Sequence, residues 1–274
     1  MYSGRISGIE DNRKLKFDKD IMMDYKDEMN WLMMGDCLER MKEISSGSVD
    51  MVLCDLPYGT TQNKWDSVIM LDKLWKEYWR IVKANAAIVL TAQTPFDKVL
   101  GCSQLDYLRY EWIWEKPTAT GHLNAKKMPM KAHENILVFY KNLPAYNPQK
   151  TTGHKPANSY TKHQDDGSNY GKTKVGIRGG GQTDRYPRSV QVFSTDKQKI
   201  SLHPTQKPVA LMEYLIKTYT NEGETVLDSA AGAFTTGVAC VNLSRKGIMI
   251  EKDPNYFEIG SERVKRGLSE KVID

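Results

Sequence analysis

The sequence has no long apolar stretch and few cysteines. No apolar run approaches the ~18 residues that a membrane span needs, and the charged segment 1–20 lacks the apolar core of a signal peptide. We therefore expect a cytoplasmic protein without a membrane partner. The four cysteines are scattered, and no pair has the C-x-x-C spacing of a zinc or redox site. We predict no metal site.

The positive charge is concentrated in one part of the chain. The net charge is +5 over 274 residues, but segment 145–200 contains ten Lys or Arg and four Asp, a local charge of +6. A basic segment of this kind indicates a polyanionic partner. A solvated loop explains the same composition equally well, so charge alone does not decide between the two.

Short apolar runs predict an α/β sheet with an interruption. Four runs are typical of buried strands, and a helix with apolar residues at helical spacing lies between the first two: Val49–Cys54, helix Leu71–Val82, Ala87–Ala92, Glu111–Trp114 and Ile136–Tyr140. From Tyr146 to about Ser194 the chain is rich in Gly, Ser, Thr, Asn and Lys, and regular patterning stops. A loop of this length inside a compact domain is usually functional.

Regular structure resumes at Pro208, where a helix is predicted to begin. A βαβ unit follows, with strand Thr225–Asp228, helix Thr235–Leu243 and strand Gly247–Glu251. Small residues after Asp228 permit close approach of a ligand to the backbone, and an acid at the end of the next strand suits a pair of ribose hydroxyls. A tight structural turn beside an ordinary acid is the alternative for this unit taken alone.

Asp55-Leu56-Pro57-Tyr58 directly follows the first predicted strand. Such a segment can supply two hydrogen-bond acceptors to an amine, the Asp55 carboxylate and the Leu56 carbonyl. Pro57 restricts Leu56 to an extended conformation, which helps to aim that carbonyl. Taken alone, a strand-end Asp in a turn beside a buried Tyr is the simpler interpretation.

Several motifs in one order give the sequence a specific resemblance. Asp55–Tyr58 resembles the D-P-P-Y tetrapeptide of S-adenosylmethionine-dependent DNA amino-methyltransferases, and Asp228–Ala239 resembles their D-P-F-x-G-S-G-T-T loop. His203–Pro208 is similar to their H-P-x-x-K-P segment, and Gly35-Asp36-Cys37 to their G-D segment. The catalytic tetrapeptide precedes the insert and the cofactor loop comes last, which resembles the β-type, circularly permuted order.

The resemblance implies a Rossmann-like methyltransferase sheet with helices on both faces and a basic target-recognition insert. It implies four parts: an N-terminal arm (1–30), a catalytic half (31–145), the insert (146–200) and a cofactor-binding half (201–274). The implied catalytic residues are Asp55, Leu56, Pro57 and Tyr58. Those implied for S-adenosylmethionine are Asp36, Cys37, Thr205, Lys207, Asp228, Ala230, Gly232, Phe234, Thr235, Glu251 and Lys252.

Two residues depart from the family pattern. Ser229 replaces the usual Pro, and Phe234 replaces the second Gly of G-x-G, where a side chain could crowd the methionine arm of the cofactor. We expect the loop to turn Phe234 outward. The resemblance places Thr205 and Lys207 near the cofactor carboxylate, and an ammonium suits that group.

The resulting prediction is a site-specific enzyme that transfers a methyl group directly to adenine N6 in duplex DNA, with the target base flipped out. Asp55 favours adenine, because cytosine-N4 enzymes of the family tend to carry Ser there. No cysteine follows a proline, which excludes the nucleophile of cytosine-C5 methyltransferases. Cytosine-N4 methylation, an RNA substrate and a catalytically silent DNA-binding protein remain alternatives. A homodimer and a cognate restriction enzyme are possible partners.

Overall fold

The structure is a computed structural model that describes residues 24–58, 69–161, 176–194 and 207–271. Its strands are β1 (Tyr25–Lys26), β2 (Asn30–Met34), β3 (Val49–Asp55), β4 (Val82–Ala92), β5 (Leu108–Thr120), β6 (Lys131–Phe139), β7 (Tyr160–Thr161), β8 (Arg178–Gly179), β9 (Val190–Val192), β10 (Thr225–Asp228) and β11 (Lys246–Glu251). Its α-helices are α1 (Cys37–Arg40), α2 (Leu71–Ile81), α3 (Phe96–Ser103), α4 (Val209–Tyr219), α5 (Thr235–Asn242) and α6 (Pro254–Lys271).

Nine strands form one sheet in the order β1-β2-β11-β10-β3-β4-β6-β5-β9. The five strands from β2 to β4 pair in parallel, and β6 runs antiparallel to both of its neighbours. Strands β10 and β11, which come last in the sequence, lie between β2 and β3. A strand from the C-terminal part of the chain therefore pairs with one from the N-terminal part. This arrangement is the predicted permuted α/β sheet.

Helices cover both faces of the sheet, as predicted. On one face, α1, α2 and α3 pack in a core with side chains of β3 and β4. On the other face, α4, α5 and α6 pack in a second core that includes Trp112, Trp114 and the ring of Phe234. The predicted helical face of α2 is confirmed, because Leu74, Trp75 and Tyr78 are all buried.

The predicted elements are present, with longer strands than the apolar runs indicated. β4 begins at Val82, and β5 and β6 extend past the buried core into polar sequence. The elements that were not predicted include β2, α3 and α6. The helical spacing of apolar residues in α6 is hard to recognise in the sequence. Charged residues of this helix far outnumber the apolar ones that reach the core, Phe257 and Val264.

The insert contributes to the sheet, although its sequence predicted no regular structure. Val190–Val192 pairs in parallel with β5 as the edge strand β9, and Trp114 Nε1 donates a hydrogen bond to the Phe193 carbonyl at 2.9 Å. The described part also holds the short β7–β8 pair. At the other edge, β1 pairs with β2 and lies within the segment assigned to the N-terminal arm. The boundaries of the four parts stay predictions.

Neither a membrane-spanning helix nor a cluster of metal ligands occurs in the part of the chain that the structure describes. Among residues 24–58, 69–161, 176–194 and 207–271, no helix is long and apolar enough to cross a bilayer. The same residues contain no cluster of three or more His, Cys, Asp or Glu side chains that could hold a metal ion.

Candidate active site

Acidic residues line the edge where the parallel strands end. Asp55 ends β3, Asp228 ends β10, Glu251 ends β11, and Asp36 follows β2. These strands are neighbours in the sheet, so the four acids lie along one edge. Ligands of open α/β sheets bind at the carboxyl ends of the strands. The sheet therefore brings the predicted catalytic and cofactor motifs together, although about 170 residues separate Asp55 from Asp228 in the chain.

The Asp55 carboxylate binds three side chains. Its Oδ1 accepts hydrogen bonds from the Tyr58 hydroxyl at 2.6 Å and from the Thr91 hydroxyl, and its Oδ2 accepts one from Lys207 Nζ at 2.6 Å. Asp55 and Thr91 are partners across β3 and β4, which fixes the carboxylate relative to the sheet. The carboxylate thus accepts from three donors and keeps one acceptor position for a further partner.

Behind Asp55 lies a buried chain of alternating charges. Lys207 Nζ also lies 3.1 Å from Glu134 Oε2, and Glu134 Oε1 lies 2.5 Å from Lys116 Nζ. Burial opposes the charge of Lys207, but the charges of Asp55 and Glu134 raise the pKa of its ammonium well above the usual range. Burial likewise opposes ionisation of Glu134, yet Lys207 and Lys116 hold the pKa of its carboxyl below the usual range. Four charges of alternating sign thus compensate one another.

The rest of the tetrapeptide surrounds Asp55. Leu56 is buried, Pro57 is half-buried, and the Tyr58 ring packs against Phe96 with ring centroids 5.3 Å apart. Burial, together with the charge of Asp55, raises the pKa of the Tyr58 phenol well above its usual range. The phenol is therefore a hydrogen-bond donor at neutral pH, and it donates to the carboxylate proposed to receive substrate.

The small-residue turn after β10 wraps around Glu251. Ala231 N donates to the Ile250 carbonyl at 2.9 Å, and Gly232 N donates to Glu251 Oε2 at 2.7 Å. Glu251 Oε1 accepts from Asp253 N at 2.7 Å. Burial raises the pKa of this carboxyl, although the backbone donors oppose the shift. The two amides orient the carboxylate and leave each oxygen with a further acceptor position.

Asp228 and Ser229, at the start of the turn, form buried hydrogen bonds. Asp228 is buried and accepts hydrogen bonds from the Thr236 hydroxyl at 2.6 Å and from Ala230 N at 3.2 Å. Burial raises the pKa of its carboxyl to about 6. Ser229, which stands where relatives of this pattern carry Pro, has its hydroxyl 2.6 Å from the buried Tyr78 hydroxyl. The departure from the family pattern thus has a polar partner of its own.

Phe234 is turned away from the turn surface, but into the core rather than to solvent. It lies in the left-handed region at φ 56° and ψ 40°, and its side chain is fully buried. The ring packs edge-on against Phe257 of α6, with centroids 5.8 Å apart. It fills the space over Gly260, where an added Cβ would lie only 2.4 Å from the ring. The expectation that Phe234 turns outward was therefore wrong, because its side chain is buried in the core.

Asp36, Cys37 and Lys252 lie near the ends of β2 and β11. Asp36 caps α1 by accepting from Leu38 N at 3.0 Å, and Lys252 Nζ lies 3.4 Å from Asp36 Oδ2. Cys37 is buried, and burial raises the pKa of its thiol to about 12. Thr235 is buried in the first turn of α5. Thr205 lies outside the described residues.

Three residues of the site were missed from sequence: Thr91, Glu134 and Lys116. Thr91 interrupts the apolar run of β4 one residue before it ends, and Glu134 lies two residues before the apolar run of β6. A polar residue at the end of a buried strand is a usable signal, because that position faces the ligand edge of a parallel sheet. Lys116 carries no such signal, since it lies in polar sequence near the end of β5.

Comparison with known proteins identifies the family. Residues 49–262 match the N6/N4 family of DNA methylases, which is well over half of the chain. The chain belongs to this family of DNA methylases. S-adenosylmethionine is the methyl donor of the family, so the predicted family and cofactor are confirmed at that level.

Two bacterial methyltransferases are similar to this DNA methylase over most of its length. It is 28% identical over 260 residues to the DNA adenine methyltransferase YhdJ of Escherichia coli (strain K12), which covers 88% of this chain and 84% of the relative. It is 25% identical over 243 residues to the type II methyltransferase M.HpaI of Haemophilus parainfluenzae, covering 85% of this chain and 73% of the relative.

Solved structures confirm the fold class. PvuII DNA methyltransferase, described as cytosine-N4-specific, superposes with a TM-score of 0.65 at 16% identity, covering 86% of each chain. The M1.HpyAVI–SAM complex superposes with a TM-score of 0.58 at 22% identity, covering 86% of this chain and 99% of the other. These likenesses concern the fold.

The edge of this methylase fits the cofactor chemically. The Glu251 carboxylate retains acceptor positions for hydroxyls, and Asp36 supplies a partly exposed carboxylate for an amino group. Gly232 adopts φ 52° and adds no side chain to the turn. Because the Phe234 ring is buried beneath the turn, it leaves the turn surface to small residues. The departure at position 234 is thus compatible with cofactor binding.

Proposed function

We propose that this DNA methylase transfers a methyl group to adenine N6 in duplex DNA. The observation that carries the proposal is the Asp55 carboxylate, held at the ligand edge of the sheet by Thr91 and Lys207. S-adenosylmethionine supplies an electrophilic methyl group on a sulfonium when it is bound. The full-length similarity to an adenine methyltransferase supports adenine as the acceptor base.

Asp55 and Leu56 would act on the acceptor amine. The lone pair of an exocyclic amine is delocalised into the ring, which makes the nitrogen a poor nucleophile. Two acceptors on its two N–H groups, the Asp55 carboxylate and the Leu56 carbonyl, would draw the nitrogen toward tetrahedral geometry and stabilise the positive charge that develops on it. The Lys207 ammonium, whose Nζ lies 2.6 Å from Asp55 Oδ2, holds the carboxylate in position for this role.

Tyr58 would hold the target base by stacking, after the base has left the duplex. Its hydroxyl donates to the same Asp55 oxygen that accepts a hydrogen bond from Thr91. An incoming amine therefore competes with the phenol for Asp55. We infer that base binding displaces this hydrogen bond and frees the ring to stack.

The predicted cofactor residues are assigned to different parts of S-adenosylmethionine. We assign Glu251 to the ribose hydroxyls, Asp36, Cys37 and Lys252 to the adenosine end, and Thr205 to the carboxylate end. We assign the turn residues to the methionine arm through backbone and small side chains: Asp228, Ala230, Gly232, Phe234 and Thr235. Lys207 was predicted for the carboxylate end, but its ion pairs assign it first to Asp55.

The partners remain at the level of the family. DNA is the substrate class of this methylase, and the basic insert is proposed as its target-recognition part. A homodimer and a cognate restriction enzyme stay predictions. Cytosine-N4 remains a second candidate acceptor, because the structure superposes on a cytosine-N4-specific enzyme.

The test is incubation of the purified protein with labelled S-adenosylmethionine and mixed-sequence duplex DNA. The product is digested to nucleosides and identified by mass spectrometry. N6-methyladenine is expected from the wild type, and sequencing of the methylated product gives the recognition sequence. Asp55→Ala should abolish it, whereas Asp106→Ala should not, because Asp106 is an exposed acid before β5 at the opposite edge. N4-methylcytosine would contradict the choice of base, and no methylated nucleoside would contradict catalysis.

A further inference from the structure

The hairpin between β5 and β6 projects beyond the sheet at the catalytic edge. The last residue of β4 that pairs with β6 is Ala92, opposite Asn135. β6 begins four residues earlier, at Lys131, so the hairpin rises roughly 13 Å past this point at the usual rise per residue. All residues from Gly121 to His133 are exposed. We call residues 117–131 the finger.

The base of the finger is fixed to the catalytic acid. Lys116 and Glu134 flank the finger and lie 2.5 Å apart at the charged atoms. Glu134 contacts Lys207 at 3.1 Å, and Lys207 contacts Asp55 at 2.6 Å. The buried charge chain therefore joins the finger to the site where the target base is proposed to bind.

The tip of the finger, residues 121–130, is ordered by its own hydrogen bonds. Gly121 adopts φ 87° and starts a short 3-10 turn, His122–Asn124. Asn124 N donates to the Gly121 carbonyl at 3.0 Å, and both Lys127 N and Met128 N donate to the Asn124 carbonyl, at 2.8 and 3.0 Å. A preformed tip loses little conformational entropy when it binds a partner.

The tip combines exposed apolar side chains with cations. Leu123 is 87% exposed, Met128 54% and Met130 40%. Lys126 and Lys127 lie between these residues in the chain, and no acidic residue occurs between Lys116 and Glu134. Apolar side chains on such a tip gain free energy only when a partner covers them. The surrounding positive charge indicates a polyanion as that partner.

We propose that the finger is a DNA wedge, with Leu123, Met128 and Met130 entering the base stack beside the flipped nucleotide and Lys126 and Lys127 binding phosphates. The inference rests on the proposed function, since a flipped base leaves a gap that the wedge fills. Apolar side chains inserted between base steps and flanked by cations are an established way of unstacking DNA. Duplex DNA is favoured over a second copy of the chain because the finger lies on the edge that the substrate must approach.

The test compares two duplexes with the recognition sequence found in the first experiment. One is fully paired, and the other carries an abasic site opposite the target base, which weakens pairing and removes the need for a wedge. Leu123→Ser/Met128→Ser/Met130→Ser should lose at least about tenfold in methylation rate on the paired duplex and recover most of it on the abasic duplex. Lys126→Gln/Lys127→Gln should weaken binding to both duplexes alike and lower its salt dependence.

The matched control is Leu105→Ser/Leu143→Ser. These leucines are 65% and 76% exposed but flank β5 and β6 at the opposite edge, so both duplexes should be methylated as by the wild type. Calorimetry with S-adenosylmethionine checks that every variant retains cofactor binding.

An equal loss on both duplexes, or no loss, would overturn the wedge. So would a drop in oligomeric state of the triple variant in sedimentation, which would make the tip a contact between copies of the chain. A wild type that methylates neither duplex would instead refute the proposed function, so the two failures are distinguishable.

Discussion

Gly260→Ala provides a sharp test of how this methylase accommodates Phe at position 234. The added Cβ would lie 2.4, 2.6 and 2.8 Å from three ring carbons of Phe234. Carbon atoms pack best at about 3.5–4.0 Å, so the ring has to move by about 1 Å or more. Overpacking of this kind costs about 1–3 kcal/mol, while Ala in place of a helical Gly contributes about 1 kcal/mol.

We therefore expect Gly260→Ala to lower the free energy of unfolding by up to about 2 kcal/mol, measured by urea denaturation. A ring pushed off α6 moves toward the turn above it, so the dissociation constant for S-adenosylmethionine should rise several-fold in calorimetry. Gly267→Ala in the same helix is the control, because its Cβ would meet Val241 at an ordinary 3.4 Å and should not destabilise the protein.

A double-mutant cycle separates the contact from other effects. Phe234→Gly alone loses the buried ring, which costs about 3 kcal/mol, and regains about 1 kcal/mol because Gly tolerates positive φ. In Phe234→Gly/Gly260→Ala the clash is gone, so the two changes should couple by about 1–3 kcal/mol in favour of the double variant, with cofactor binding restored. Additive effects, or unchanged cofactor affinity in Gly260→Ala, would refute the reasoning.

Three further predictions concern buried polar groups. Glu134→Gln should lower the free energy of unfolding by about 3 kcal/mol in urea denaturation, because it leaves an uncompensated buried cation. Glu134→Gln/Lys116→Met should recover part of this loss. A loss below about 1 kcal/mol in the single variant would contradict the buried chain of alternating charges. The folded-state pKa of Asp228, raised from 3.8 to about 6, means that the folded protein binds more protons than the unfolded chain between these values. Its contribution to stability should therefore fall by up to about 3 kcal/mol as pH rises from 4 to 6, and Asp228→Asn should flatten this part of the pH profile; an unchanged slope would exclude Asp228 as its source. Tyr78→Phe should cost about 1–2 kcal/mol in thermal unfolding by removing the buried hydrogen bond between the Tyr78 and Ser229 hydroxyls, and Tyr78→Phe/Ser229→Ala should cost less than the two single changes together.

Much of the fold could be predicted from local patterns. The apolar runs of β3 and β10 and the helical spacing of α2 are local properties, and each was confirmed with an end shift of no more than one residue. β2 was missed because five residues rich in Met carry little strand signal. The strand β9 was missed because its place depends on an open edge of β5, which no local pattern reports.

The sequence by itself determined the family of the protein and led to the proposed role of Asp55, because motif order and residue type are properties of the chain. Only the tertiary structure decided which groups surround Asp55. Lys207 is 152 positions away and had been predicted for the cofactor, yet its Nζ, just before α4, lies 2.6 Å from the Asp55 carboxylate and 3.1 Å from that of Glu134. The destination of Phe234 likewise depended on the missing side chain of Gly260. Both outcomes are set by close packing between distant segments, which a sequence pattern does not encode.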